Sequence, residues 1–167
     1  MKQETQFSLF QSLTSNRNLG LVTLAEVYRL ITTDPTLKEN AEKFRYFQAQ
    51  GFDDDADKIK RSKSLVFTPA AVFDGKRNGK NRVSYTQYSL VDIDKLEKGQ
   101  AERLVQLLKD DPYWLLAYIT LSGKGLRIIF RVEGVTDEQT YRKAVYQGND
   151  YYCRLFGITR FDDSVKD

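Results

Sequence analysis

The stretch "SLVDIDKL" (Ser89 to Leu96) sets two aspartates, one residue apart, inside an otherwise apolar run. In a strand, residues two apart point to the same face, so Asp92 and Asp94 project together while Val91 and Ile93 face the core. Their Cα atoms would stand about 6.6 Å apart, twice the rise per residue. Carboxylates at that spacing can converge on one or two divalent cations, and hard Mg²⁺ or Mn²⁺ suits such oxygens while keeping water or phosphate ligands. Without a cation the two repel each other, and one should hold its proton more tightly. The competing reading is a solvent-facing strand end balanced by lysines such as Lys95.

A second candidate is "TLSGKGLRIIF". Two glycines within four residues let backbone N–H groups turn inward as an anion-binding nest, to which Ser122 adds a hydroxyl and Lys124 a charge. In the strand that follows, Arg127, Ile129 and Arg131 share one face, which brings Arg127 out beside the turn for a forked grip on phosphate. An ordinary hairpin loop explains the same glycines. A third element, "ITRFDDSVKD", supplies Asp162 and Asp163, either of which can complete a metal site if the chain returns beside Asp92. Taken alone it reads equally well as a solvated acidic loop.

The remaining composition narrows the chemistry. The 167 residues contain no histidine and one cysteine, Cys153. Imidazole acid–base catalysis, Ser-His-Asp triads, zinc held by histidine or by several thiolates, and internal disulfides are thereby excluded. Cys153 falls in a helical stretch and reads as core filler. The formal charge of +3 is mild, but "KIKRSK" (Lys58, Lys60, Arg61, Lys63) and the 76–82 loop (Lys76, Arg77, Lys80, Arg82) are basic clusters that can track a nucleic-acid backbone or be plain solvated surface. Tyr85 and Tyr88 nearby suit base stacking or strand packing. The N-terminus "MKQETQFSLF" has no long apolar run, so no membrane segment and a cytoplasmic location are expected.

The elements that must position these groups follow from the patterning. Thr23 and Glu26 form a capping box ahead of "LAEVYRLI", and "DPTLKENAEKFRYFQAQG" starts at a proline and stops at Gly51. "DDDADKIKRSK" reads as a further short helix. From Ser64 the texture turns to strands: "LVFTPAAVF", broken by Pro69, then "RVSYTQYSLVDID". A helix over "GQAERLVQLLKDD", strands over "YWLLAYITL" and "LRIIFRV" around the turn "SGKG", and a last helix from a Thr136/Gln139 capping box to Gly157 complete the order. This predicts an α+β domain with a helical N-terminal lead-in over 1–63. A core over 64–167 follows, with an antiparallel or mixed sheet and helices on one face.

Taken in order, D-x-D on an apolar strand, S-G-x-G before a strand, and a hydrophobic residue followed by Asp resemble the three motifs of the archaeo-eukaryotic primase (primase-polymerase) superfamily. Closer still, "TLAEVYRLI", "YSLVDIDKL", "DPYWLLAYITLSGKGLRIIFRV" and "FDDSVKD" resemble the VirE N-terminal-domain family, often the front part of a primase-helicase. The resemblance implies an RRM-like core with a nucleotidyl-transfer site. Asp92, Asp94 and Asp162 would be its catalytic, metal-holding carboxylates. Ser122, Gly123, Lys124, Gly125 and Arg127 would hold the incoming NTP or dNTP. It further implies nucleic acid, with DNA expected, as partner, a helicase domain in the full-length chain, and a core cut short at its C-terminal end. Arg127 stands where many members carry histidine, which keeps phosphate binding and removes proton transfer near neutrality. A non-catalytic nucleotide- or nucleic-acid-binding module of a replication or mobile-element protein is the alternative. A D-x-D glycosyltransferase fits less well, because it leaves the S-G-K-G hairpin without a role.

Overall fold

A computed structural model describes residues 4–158. The chain divides into two compact units, Met1–Ser84 and Tyr85–Asp167. The division falls well after the change of texture at Ser64.

The first unit opens with β1 (Phe7–Phe10) and β2 (Asn18–Val22), continues through α1 (Leu24–Thr33), α2 (Pro35–Ala49) and α3 (Asp53–Ser62), and returns as β3 (Val66–Thr68), β4 (Ala71–Phe73) and β5 (Arg82–Tyr85). β1 lies between β2 and β3, antiparallel to both, and β4 pairs with β5. The lead-in is therefore not purely helical. β1 is buried on both faces, so it lacks the alternation that marks a strand in sequence. Ser8 joins the two sheets: its fully buried hydroxyl accepts from Phe73 N at 2.8 Å and faces Phe73 O at 3.4 Å. The helices begin as expected. Thr23 and Glu26 cap each other across α1, and the Asp34 carboxylate accepts from Leu37 N at the start of α2, where Pro35 needs no partner for a missing N–H.

The second unit runs β6 (Tyr88–Ile93), α4 (Gln100–Leu107), β7 (Trp114–Ile119), β8 (Leu126–Arg131) and α5 (Glu138–Phe156). Its sheet has the order β6-β8-β7, antiparallel at both junctions. This β-α-β-β-α run, with the third strand inserted between the first two, has the connectivity of a split βαβ unit. Val91 and Ile93 on β6 and Leu126, Ile128 and Phe130 on β8 form one face of the core. Ala101, Leu104 and Leu108 from α4 and its continuation, with Tyr152 from α5, cover that face. Both helices thus sit on one side of the sheet, and Cys153 packs half-buried against the same cluster.

α5 is capped one residue later than the sequence suggests. Asp137, not Thr136, is the N-cap, and it exchanges hydrogen bonds with Thr140 rather than with Gln139. Thr140 Oγ1 accepts from the N–H groups of both Thr136 and Asp137 at 3.0 Å, which fixes the later start. Asp111 ties the same helix to the sheet. Its buried carboxylate accepts from Tyr151 Oη at 3.0 Å and from Tyr113 N at 3.1 Å just before β7. Halfway along, Gly148 is the residue that lets α5 lie flat on β8: a Cβ there would stand 2.1 Å from Phe130 Cζ. Replacing Gly148 with Ala should therefore destabilise the fold by roughly 1–3 kcal/mol, despite alanine's better helix propensity. Urea unfolding measures this, and pairing Gly148→Ala with Phe130→Leu should recover part of the loss.

Candidate functional site

β8 is the central strand of the second sheet, and its register decides which side chains meet. Asp92 on β6 pairs with Arg127 on β8, and Arg127 pairs with Tyr118 on β7. The three side chains therefore form one row across the face of the sheet opposite the helices. Arg127 Nε and Nη2 both donate to Asp92 Oδ2, at 2.8 and 2.6 Å. The Asp92 side chain is 15% exposed and that of Arg127 41%, so the pair sits at the margin of the interior. Asp92 Oδ1 is left buried with no hydrogen-bond partner among the described residues. A buried, electron-rich oxygen without a donor is costly unless a ligand or cation meets it.

Burial by itself would lower the pKa of Arg127. The facing Tyr118 and Asp92 outweigh that and hold the guanidinium above its ordinary value, so it is cationic at any pH at which the protein is folded. Tyr118 is raised, chiefly by burial and further by the Asp92 charge, with Arg127 opposing. The hydroxyl stays protonated well into the alkaline range.

Asp94 lies just past the end of β6, and the chain then turns sharply at Lys95, whose φ of +59° is left-handed. The turn between β7 and β8 packs against this corner. Leu96 N donates to Lys124 O at 2.8 Å. A Cβ added at Gly125 would stand 2.7 Å from Thr120 Oγ1, 2.9 Å from Ile93 O and 3.0 Å from Asp94 Oδ1. Only glycine leaves room there, so the D-x-D and S-G-K-G segments are in direct contact. Gly123, at φ +72°, completes the turn, and its N–H donates to Thr120 O at 2.9 Å. Ser122 Oγ accepts from Lys124 N at 3.2 Å and lies 3.3 Å from Thr120 Oγ1. Two of the turn's amides thus close the turn itself, while the Lys124 side chain is exposed.

Asp92, Asp94, Ser122, Gly123, Lys124, Gly125 and Arg127 are accordingly brought to one end of one sheet. Asp162 lies outside the described residues. Among the described residues no three carboxylate, thiol or imidazole groups converge as a metal cage. The donors present at this corner, two carboxylates and the Thr120 and Ser122 hydroxyls, are all hard oxygens of the kind Mg²⁺ and Mn²⁺ take. Tyr85 and Tyr88 serve packing: Tyr88 is buried, and Tyr85 stacks on Tyr141 at 5.3 Å.

Sequence reasoning missed Tyr118 and Thr120. The loop closes between Thr120 N and Gly125 O, making Leu121–Lys124 the turn, one residue earlier than a Ser122–Gly125 turn and so with a register shifted by two. That shift keeps every side chain on its face but changes its neighbour. Counting the hairpin register from the correct closing pair would have set Tyr118 opposite Arg127.

The fold and the paired motifs define the class: an α+β domain with an acidic, glycine-flanked corner at one sheet end. The family model described as BT4734-like, N-terminal domain, matches residues 58–163, and the chain belongs to that family, which is related to the VirE N-terminal and primase-like domains. No curated protein and no solved structure is matched. Among the described residues no helix is long and apolar enough to cross a membrane.

Because Tyr118 keeps its proton in the folded state above the ordinary value of 10.0, the native chain binds more protons than the unfolded one above that pH. Its contribution is intact below pH 10 and is lost as pH rises toward the raised value. Tyr151 and Tyr152 are shifted the same way, chiefly by burial. Stability should therefore fall steeply above pH 10. The Tyr118→Phe variant should show a slope shallower by up to about 1.4 kcal/mol per pH unit, one proton's share. Urea titrations across that range, read by circular dichroism, measure both slopes.

Proposed function

We propose that this chain is a primase-polymerase-type nucleotidyltransferase domain, acting on nucleic acid with NTP or dNTP and a divalent metal ion. The observation that carries the reading is the contact at Gly125, which sets the S-G-K-G turn directly against Asp94 and one residue row from the Asp92–Arg127 pair. A strand-end carboxylate pair and a glycine turn with its own Lys and Arg are what a triphosphate and its cation require side by side. The family's kinship with primase-like domains supports the same reading.

Each residue has a defined task in it. Asp92, through Oδ1, and Asp94 would hold the metal, with Asp162 as the expected third carboxylate. The ion, when bound, supplies charge neutralisation of the triphosphate and activation of the attacking hydroxyl. Arg127 orients Asp92 through its forked hydrogen bonds and would bring its charge to a phosphate oxygen. Lys124 offers a mobile charge to the distal phosphates, and Ser122 a hydroxyl. The chain has no histidine, so no imidazole could carry a proton in this site.

The alternative, a module that grips nucleotide or nucleic acid without polymerising, is favoured by one observation: Asp92 Oδ2 is already committed to Arg127.

Titration calorimetry with ATP and dATP, each with and without Mn²⁺, tests the site. Binding should need the metal and be lost in Asp92→Asn/Asp94→Asn. Because Asp92→Asn also strips Arg127 of its partner, Asp94→Asn alone is the cleaner variant, with its thermal melt as the check on folding. Unchanged binding in a folded Asp94→Asn protein would sink the metal-site reading. Gly125→Ala should push Asp94 and Thr120 aside and weaken metal-dependent binding by roughly tenfold or more, with a smaller effect on binding without metal. Primer-extension assays then separate the two readings, since only a nucleotidyltransferase forms new phosphodiester bonds.

A further inference from the structure

The chain's positive charge is confined to one stretch. Between Lys58 and Arg82 lie eight cations and a single carboxylate, Asp74, a balance of +7 against +3 for the whole chain, so that everything outside the stretch is net −4. Helix electrostatics account for part of this. α3 carries Asp53, Asp54 and Asp55 in its first turn and Lys60 and Arg61 in its last, as its dipole favours. Lys63, the C-cap, falls under the same rule, but the dipole does not account for Lys76 and Lys80 in a loop of a different part of the first unit.

The fold brings these segments together around the loop from Ser12 to Arg17. Thr14 donates to Arg61 O at the end of α3 through both its N–H, at 3.1 Å, and its hydroxyl, at 3.2 Å. Asn16, held in a left-handed conformation at φ +47°, accepts from Arg77 N at 3.1 Å in the second basic loop. That loop is itself closed by Asn81, whose side chain donates to Lys76 O and whose backbone carbonyl accepts from Asp74 N. One hydroxyl-rich loop therefore fastens two separate basic segments to itself through side-chain and backbone bonds. Lys58, Lys60, Lys63, Lys76 and Lys80 are exposed there, as is Arg17 from the fastening loop.

We infer that this composite surface of the first unit binds the sugar–phosphate backbone of a nucleic-acid strand. A concentrated, exposed polycation with serine, threonine and asparagine donors between the charges matches a linear array of phosphates and gives affinity without base specificity. The inference rests on the reading above only for the class of partner, and it deepens that reading by saying which part of the chain holds the strand.

The test uses the full chain and a labelled oligothymidylate of about twenty nucleotides, followed by fluorescence anisotropy at salt from roughly 50 to 200 mM. The unmodified protein should bind with steep salt dependence. The variant Lys60→Gln/Lys63→Gln/Lys76→Gln/Lys80→Gln should bind at least about tenfold more weakly, with a salt slope lower by about 3, roughly 0.7 per lysine removed as for a single strand. The corresponding Lys→Arg variant should keep the unmodified affinity. Asp94→Asn, folded by its melt, should keep oligonucleotide binding whether or not it loses metal-dependent dATP binding, so a failure of the metal site and a failure of this surface show in different titrations. The inference is overturned if the glutamine variant, shown to be folded by its melt, retains both affinity and slope. It is equally overturned if the unmodified protein does not bind the oligonucleotide, or prefers phosphatidylserine vesicles to it.

Discussion

The pairing of Asp92 with Arg127 constrains more of this chain than any other single contact. A guanidinium and a carboxylate at the margin of a sheet lose hydration, and they regain that energy only when they face each other. β8 is the middle strand, so satisfying Arg127 fixes the register of β6 on one side, and the Tyr118 interaction fixes that of β7 on the other. A slip by one residue would send Arg127 into the apolar face among Val91, Ile128 and Tyr152. A slip by two toward the start of β6 would set it against Leu90, an aliphatic side chain with no acceptor. Breaking the pair costs less than the roughly 3–5 kcal/mol of a fully buried one, because Arg127 retains substantial exposure. Even so, the alternatives it excludes are the ones an apolar, alternating strand leaves open.

Two close approaches then anchor what the register sets. On the helix face, Gly148 lets α5 descend onto Phe130 and complete the cluster around Tyr152. At the sheet end, Gly125 lets the β7–β8 turn descend onto Ile93 and Asp94. In both cases the missing Cβ matters for space, not for a special φ. The two contacts bear on the same strand, β8, from opposite sides of its length. The chemistry-bearing corner is thus held by backbone packing and not by a flexible loop, which is what a preorganised site requires.

What could be read from sequence follows from which physical signal each element carries. α1 and α2 announce themselves through Thr23, Glu26, Pro35 and Gly51, because caps are local and leave local marks. The faces of β6 and β8 were legible from parity alone, since Val91, Ile93, Leu126, Ile128 and Phe130 are the core they appear to be. β1 was not, because four consecutive buried residues give no period, and its partner β2 exposes Leu19 and Leu21. The shift of the α5 cap from Thr136 to Asp137 turns on which of two neighbouring side chains Thr140 engages, which no pattern encodes. Tyr118 was hidden for a third reason. A tyrosine in a strand is ordinary, and its meaning appears only once the hairpin closes on Thr120 and Gly125.

The charges at the candidate site bear on what it can hold. Asp92 and Arg127 cancel, Asp94 and Lys124 cancel, and the second unit as a whole has twelve Lys and Arg against thirteen Asp and Glu. A nucleoside triphosphate brings several negative charges to a corner that offers no net positive one. Binding there without a cation would set phosphate beside Asp94 and the unpartnered Asp92 Oδ1, which Coulomb repulsion at short range opposes. With a divalent ion between them, the same oxygens would serve as ligands and the repulsion would be reversed. The first unit, by contrast, carries fourteen cations to ten carboxylates and needs no such mediator to meet a phosphate chain. Metal-dependent nucleotide binding, as proposed for the second unit, and metal-independent backbone binding, as inferred for the first, are therefore the two behaviours that this distribution of charge favours.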